Sequence, residues 1–363
     1  MSSSFVSDDS GNSFVSDDSG NSFVSDEASS FVSDDVEVAE RALASYDLSP
    51  DSTLRLLNLS ENATYAVADP GTGTTSILRV HRKDYHRPHE IESELDWLDA
   101  LRVGGDVTVP TVLPTRDGRR VVTVDQDGTA RHVVHFEMVA GNEPDEKNLT
   151  DQDFFTLGRI TAALHDHSTT WVRPVGFGRF SWDWQHSLGD QPRWGRWQDA
   201  MGVGNAESAL LGRAQQLLGD RLDRYGTGPD VFGLVHADLR LANLLVDDRG
   251  HGADPTITVI DFDDCGFGWY FYDFGTAVSF FEDDPAVPRW QDAWAAGYRS
   301  RRPLAERDEA MLPSFVLLRR LLLLAWMGTH SHSKESQAIS VTYAKGSCEL
   351  AERYLTFDGL RLA

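Results

Sequence analysis

Val235-His236-Ala237-Asp238-Leu239-Arg240-Leu241-Ala242-Asn243 is followed, after a polar connection, by ITVIDFDDCGFGWYFYDFG over residues 257–275. Asp238 and Asn243 stand five apart in a loop-like segment, and Asp261 ends an apolar strand-like run. Phosphoryl transfer asks for little covalent chemistry from a protein. It needs a carboxylate to receive the acceptor hydroxyl's proton and oxygen ligands to hold magnesium against the phosphates. Asp238 fits the first role. Asn243 and Asp261 fit the second, because magnesium takes few protein oxygens beside phosphate and water. Taken singly, each residue is equally at home satisfying an ordinary turn.

Residues upstream of about 140 alternate strand-like segments (54–67, 75–81, 118–125 and 130–139) with one helix-like run, RPHEIESELDWLDALRVGG. Pro88 suits the first turn of that helix and Gly104-Gly105 ends it. Ala140-Gly141-Asn142-Glu143-Pro144 breaks the pattern. Beyond the break, helical periodicity covers about 151–167, 206–225, 287–299, 307–329 and 334–356, interrupted by short strands near 243–247 and 256–262. The expectation is an α+β chain of two lobes, a small β-rich lobe at 34–140 and a larger, mainly helical one at 141–363.

The motifs resemble the phosphotransferase enzyme family, which includes aminoglycoside phosphotransferases, choline kinase and homoserine- and hydroxylysine-kinase-type enzymes. Its H-G-D-x-x-x-x-N signature stands here as His236-Ala237-Asp238 to Asn243, with Ala237 in the place of the glycine. Its later motifs stand as Val259-Ile260-Asp261-Phe262-Asp263 and Tyr272-Asp273-Phe274-Gly275. The resemblance spans roughly residues 36–358. It implies a two-lobed protein-kinase-like fold using ATP and Mg2+, with Asp238 catalytic and Asn243 and Asp261 on the metal. By the same resemblance His236 and Asp273 support the catalytic loop, and Asp263 is a second acidic residue near the metals.

On the nucleotide side, the resemblance makes NLSENATYAV a phosphate-covering loop, with Ser60, Asn62 and their neighbours offering backbone N–H groups. Arg79 stands where the family has a phosphate-binding lysine, with Lys83 as a fallback. The guanidinium keeps a permanent charge and a fork matched to phosphate. Glu94 matches its acidic partner, against the plainer reading of a solvated helix charge. Glu137 to Val139 look like the hinge that pairs with adenine. The acceptor is a hydroxyl-bearing small molecule, with an amino alcohol or hydroxy amino acid as the first expectation. Rival readings are a Ser/Thr protein kinase, an antibiotic phosphotransferase and a nucleotide-binding pseudokinase. Between Asp261 and Asp273 there is no room for a long regulatory loop with a phosphosite.

The tryptophans of SWDWQHSLGDQPRWGRW (Trp182, Trp184, Trp194, Trp197) read either as an acceptor-side wall or as packing between helices. Glu282-Asp283-Asp284 reads either as a site that attracts an amine or, in a chain this acidic, as a solvated turn, with the turn preferred, and His165 and His167 read as structural. A formal charge of -24 excludes a broad electrostatic grip on nucleic acid or an anionic membrane. Lysine occurs only at 83, 147, 334 and 345, which together with the aspartate excess suits a high-salt or GC-rich source. Cys265 and Cys348 make no disulfide framework, so a reducing cytoplasm is expected. The apolar run Leu321–Met327 is too short to span a bilayer and reads as a buried helix. FVSD recurs at Phe5, Phe14, Phe23 and Phe31, and residues 1–33 are too polar to bury a core, so disorder is expected there. Ser33, Asp34 and Asp35 read as the cap of the first helix. Oligomeric state is left open.

Overall fold

The computed structural model describes residues 6–7, 13–14, 26–59, 62–248, 255–329 and 334–356, with side chains described from 34 to 329 within those ranges and again from 340. In chain order come β1 (Val6–Ser7), β2 (Ser13–Phe14), α1 (Asp26–Leu43), β3 (Thr53–Leu59), β4 (Ala63–Asp69), β5 (Thr74–Val80) and α2 (Pro88–Gly104). β6 (Val121–Gln126), β7 (Thr129–Glu137), α3 (Asp151–Thr170), α4 (Trp184–Ser187), α5 (Asn205–Tyr225), β8 (Phe232–Val235), β9 (Leu244–Asp247) and β10 (Thr256–Val259) follow. The chain closes with β11 (Gly266–Trp269), α6 (Tyr272–Ala277), α7 (Val287–Arg299), α8 (Glu306–Glu309), α9 (Leu312–Thr329) and α10 (Lys334–Thr356). The chain therefore has the expected α+β class, an antiparallel five-stranded sheet in its N-terminal part and helices in most of the rest.

Two compact units divide these elements: residues 1–95, 110–142 and 246–256 in the first, and 96–109, 143–245 and 257–363 in the second. In the first unit the sheet order is β3-β4-β5-β7-β6, antiparallel throughout. β-Branched and aromatic residues alternate along these strands, so one face is apolar and must be covered. Val38, Ala39 and Ala42 of α1, with Tyr46 just beyond it, pack there against Ala63, Tyr65, Val67, Leu78, Val80, Val122, Val124 and Val133. Helix α1 starts at Asp26, ahead of the Ser33–Asp35 cap expected from sequence. No Gly or Pro interrupts residues 26–43, so nothing stops the helix at Asp34. Most of the expected disordered tail, residues 1–33, lies outside the described residues.

In the second unit α3 lies against α7 at a close crossing. A Cβ at Gly297 would fall 1.9 Å from the Phe155 carbonyl oxygen, and one at Gly158 would fall 2.1 Å from that of Trp294. The two glycines therefore let the helix backbones touch. Gly297→Ala is expected to destabilise the fold by about 2–3 kcal/mol, read as a lower urea midpoint. An unchanged midpoint would mean that the helices do not approach so closely. Helix α9 is the core of this unit, with Leu312, Phe315, Leu317, Leu321, Leu322 and Leu324 fully buried. The stretch Glu306–Thr329 is long and apolar enough to cross a bilayer, longer than the heptapeptide run suggested, and 83% of its apolar window is buried within the protein. It is packed as a core helix.

Candidate active site

In the second unit, β8 pairs antiparallel with β11, and the chain leaves β8 directly into His236-Ala237-Asp238. Ala237 sits at φ 66°, a left-handed conformation that costs a non-glycine residue about 1–2 kcal/mol. What holds it there is Asp273, on α6. The Asp273 carboxylate, fully buried, accepts from the Ala237 N–H at 2.8 Å and from the His236 N–H at 3.3 Å. It also meets His165 Nε2 at 3.2 Å, while His165 Nδ1 faces the Tyr298 hydroxyl at 3.0 Å. Burial drives the His165 pKa down and Asp273 only partly offsets this, so the ring is neutral, donating from Nε2 and accepting at Nδ1. One turn on, Thr276 Oγ1 accepts from the Leu239 N–H at 2.9 Å. The loop carrying Asp238 is thus tied to α6 through three of its backbone amides.

His236 is fully buried. Its Nδ1 accepts from the Asp238 N–H at 3.3 Å, which leaves the proton on Nε2 for the Ile260 carbonyl at 3.2 Å. The Asn243 carbonyl in turn accepts from the Ile260 N–H at 2.9 Å. These links set Asp261, the next residue, beside the Asp238–Asn243 loop. Asp261 is exposed and stands at φ 60°, a second strained non-glycine position in the same small region. Strain of this kind persists only where surrounding contacts over-determine it, and it clusters at functional sites. Asp263, two residues on, is buried, and its carbonyl accepts from Arg179 Nη2.

The Asp238 carboxylate is held at both oxygens. Asn243 Nδ2 donates to Oδ2 at 2.8 Å and to the Asp238 carbonyl at 2.8 Å. Arg240 Nε lies 3.5 Å from Oδ2. Oδ1 is bound by Arg319 Nη2, a residue of α9 that is 2% exposed. Burial pushes the Asp238 carboxyl up, but Arg319, reinforced by Arg240 and His236, outweighs it and holds the pKa below the ordinary range. Asp238 is therefore an anion fixed in orientation, suited to receive a hydrogen bond from an acceptor hydroxyl.

The first unit gathers a second set of predicted residues. Arg79, on β5, puts Nη2 2.6 Å from Glu94 Oε1, and Glu94 is fully buried on α2. Glu94 is thus not a solvated helix charge. The Arg79 guanidinium also lies 5.2 Å from the Phe136 ring centre. Lys83 is exposed. Asn62 is buried, its Oδ1 accepting from the Arg82 N–H at 3.0 Å, so its side chain closes a turn. Ser60 lies outside the described residues. Glu137 ends β7 with its side chain exposed and its N–H donating to the Thr111 carbonyl at 2.9 Å; Val139 is half-buried.

The acidic turn differs from expectation. Glu282 is buried, not solvated, with Oε2 on Arg320 at 2.8 Å and Oε1 accepting from Tyr343 at 2.8 Å. A buried arginine on α9 requires an anion, and the turn supplies it. Trp182, Trp194 and Trp197 are buried: Trp182 donates to the Asp264 carbonyl at 2.8 Å and meets Trp194 edge-on at 5.0 Å. Sequence reasoning passed over Arg319, Arg240 and Thr276. The signal for the first was a pair of arginines inside a leucine-rich helix, where a charge survives only with a partner.

The model of the phosphotransferase enzyme family matches residues 53–308. The amicoumacin kinase of Bacillus subtilis (strain 168) is 26% identical over 298 residues, 79% of this chain and 83% of its own. A solved microcompartment-associated aminopropanol kinase is 70% identical, with a TM-score of 0.84, covering 90% of this chain and 100% of that one. An amicoumacin kinase in complex with AMP-PNP, Ca2+ and Ami shares the fold at 22% identity and a TM-score of 0.72, over 90% of this chain and 96% of its own.

Proposed function

The chain belongs to the phosphotransferase enzyme family and is a kinase acting on a hydroxyl group; on that premise we propose that it transfers the γ-phosphoryl group of ATP to the hydroxyl of a small amino alcohol. The observation that carries the choice of acceptor is the 70% identity to an aminopropanol kinase across 90% of the chain. A likeness of that extent goes well beyond a shared fold.

In this reading Asp238 receives the hydrogen bond of the acceptor hydroxyl and takes its proton as the phosphoryl group transfers. Asn243 and Asp261 hold Mg2+. The donor set fits a hard cation: Asn243 spends its Nδ2 on Asp238, which turns Oδ1 away as an oxygen ligand, and Asp261 is an exposed carboxylate. When bound, the ion neutralises charge on the phosphate oxygens. Arg79, braced by Glu94, steadies the α and β phosphates. Ser60, Asn62 and the segment from Glu137 to Val139 take the rest of the nucleotide. His236, Asp263 and Asp273 support the loop. In this reading the first unit supplies the phosphate arginine and the adenine segment, and the second supplies the metal ligands and the residue that meets the acceptor. Cys265, buried, and Cys348, partly so, are in no disulfide, which suits a reducing cytoplasm.

The test is a comparison of kcat/KM for aminopropanol, the isosteric propanediol, a hydroxy amino acid, an aminoglycoside and a generic protein substrate, with ATP and Mg2+ in low and in molar KCl. Aminopropanol is expected to lead propanediol by at least about tenfold, since losing a bound ammonium costs upward of 1.4 kcal/mol. A diol or protein substrate turned over equally well would remove the amino-alcohol reading.

A further inference from the structure

Helix α9 presents two adjacent arginines to the interior, Arg319 and Arg320, 2% and 1% exposed. Removing a guanidinium from water is costly unless it is paired and hydrogen-bonded, so the partners of each residue show what it is there for. Arg320 is used for architecture. Its Nη1 binds Glu282 at 2.8 Å and Asp283 at 2.9 Å, its Nε binds Ser347 Oγ at 2.9 Å, and its Nη2 binds the Tyr343 carbonyl at 3.0 Å. Those contacts tie α9 to α10 and to the turn at 282–283.

Arg319, about 100° further round the helix, faces the catalytic loop instead. Nη2 binds Asp238 Oδ1, Nη1 lies 3.5 Å from the Ala237 carbonyl and 3.4 Å from the Tyr272 hydroxyl, and Nε is anchored on Ser279 Oγ at 2.8 Å. The Trp194 ring centre lies 5.3 Å from the guanidinium carbon. The fork is therefore clamped at its root by Ser279, flanked by an aromatic ring, and directed at one oxygen of Asp238. Asn243 fixes the other oxygen. A carboxylate gripped at each oxygen from a different element cannot rotate.

We propose that Arg319 is a positioning residue for phosphoryl transfer, acting through Asp238 by locking its carboxylate in the orientation that meets the acceptor hydroxyl. This rests on the role proposed for Asp238. It does not depend on which hydroxyl is the acceptor, nor on any protonation change. Because the phosphoryl-transfer transition state draws mainly on positioning and electrostatics, a carboxylate free to turn loses rate without loss of nucleotide binding.

The experiment measures kcat and the KM for ATP per folded molecule, using whichever hydroxyl acceptor the wild-type enzyme phosphorylates fastest. Arg319→Met, Arg319→Lys, Ser279→Ala and Arg320→Met are compared, each also in the Asp238→Asn background, with a thermal melt for every variant. Arg319→Met is expected to lower kcat about 100-fold with the KM for ATP within about twofold, because the interaction lost acts in the transition state. Arg319→Lys should recover part of the loss, about tenfold, since an ammonium reaches Asp238 but cannot span Ser279 and Tyr272 as well. Ser279→Ala loosens the clamp without removing the charge, and a drop of about threefold to tenfold is expected; it keeps the test informative should Arg319→Met not fold. Arg320→Met should lower the melting temperature while leaving kcat per folded molecule near that of the wild type. In the Asp238→Asn background the Arg319 substitution should add almost nothing, since both changes break one unit. An Arg319→Met enzyme with kcat within threefold of wild type, or one whose loss multiplies undiminished onto Asp238→Asn, would overturn the proposal. A harmless Asp238→Asn would instead overturn the reading on which it rests.

Discussion

Asp238→Asn is expected to lower kcat for acceptor phosphorylation by about 10³-fold while ATP still binds. General-base assistance contributes about 10²–10⁴ in rate, and an amide offers neither a proton-accepting oxygen of useful basicity nor a negative charge. The substitution preserves volume, so the loop has no steric reason to move. It does leave the buried Arg319 guanidinium without the carboxylate that it is bonded to, and breaking a buried pair costs about 3–5 kcal/mol. The melting temperature should therefore fall as well, and turnover must be compared well below it. Steady-state kinetics beside a thermal melt separates the two effects. A kcat within tenfold of wild type in a well-folded protein would exclude Asp238 from the chemistry.

Asp273→Ala should act in the opposite order, on the fold first. This carboxylate accepts from the backbone N–H groups of His236 and Ala237 and from His165, all in a fully buried setting. Truncation leaves three donors without acceptors, and each buried orphan costs about 1–3 kcal/mol. A net loss of about 3–5 kcal/mol would lower the melting temperature by about 4–7 °C. Ala237 would also be released from φ 66°, since Asp273 is what holds that strain. Activity should fall with it, because Asp238 is the next residue. Differential scanning calorimetry with a parallel activity assay reads both. An unchanged melting temperature would show that the loop is held by other means.

Much of the architecture was legible because its signals were local and redundant. Helix α7 ends where the 287–299 periodicity placed it, with Pro288 in its first turn. The strands of the first unit lie within a few residues of the alternating segments, although the run at 54–67 proved to be two strands. Strands β8 and β11 escaped notice for a physical reason. FGLV and GFGW carry glycines, which read as loop, yet Gly233 stands opposite Gly268 in the ladder. A Cβ at Gly233 would fall 2.1 Å from the Tyr270 hydroxyl, so these glycines buy close approach, not flexibility.

The site was legible to the extent that its residues cluster in sequence. Asp238 and Asn243 are brought together as their spacing implied, and Arg79 meets Glu94 across fifteen positions. Long-range partners left little trace. Arg319 approaches Asp238 from eighty-one residues away, and nothing in its neighbours beyond the oddity of two arginines among leucines marks which one faces the loop. Glu282 misled for the same reason: in so acidic a chain a carboxylate looks solvated until its buried partner is known.

The most direct test of the account is 31P NMR and mass spectrometry of the product formed by the purified protein from ATP, Mg2+ and aminopropanol. Stoichiometric ADP and an O-phosphorylated amino alcohol are expected, with none formed by Asp238→Asn on the same time scale. ATP bound but aminopropanol recovered unchanged, under both low and molar KCl, would contradict it.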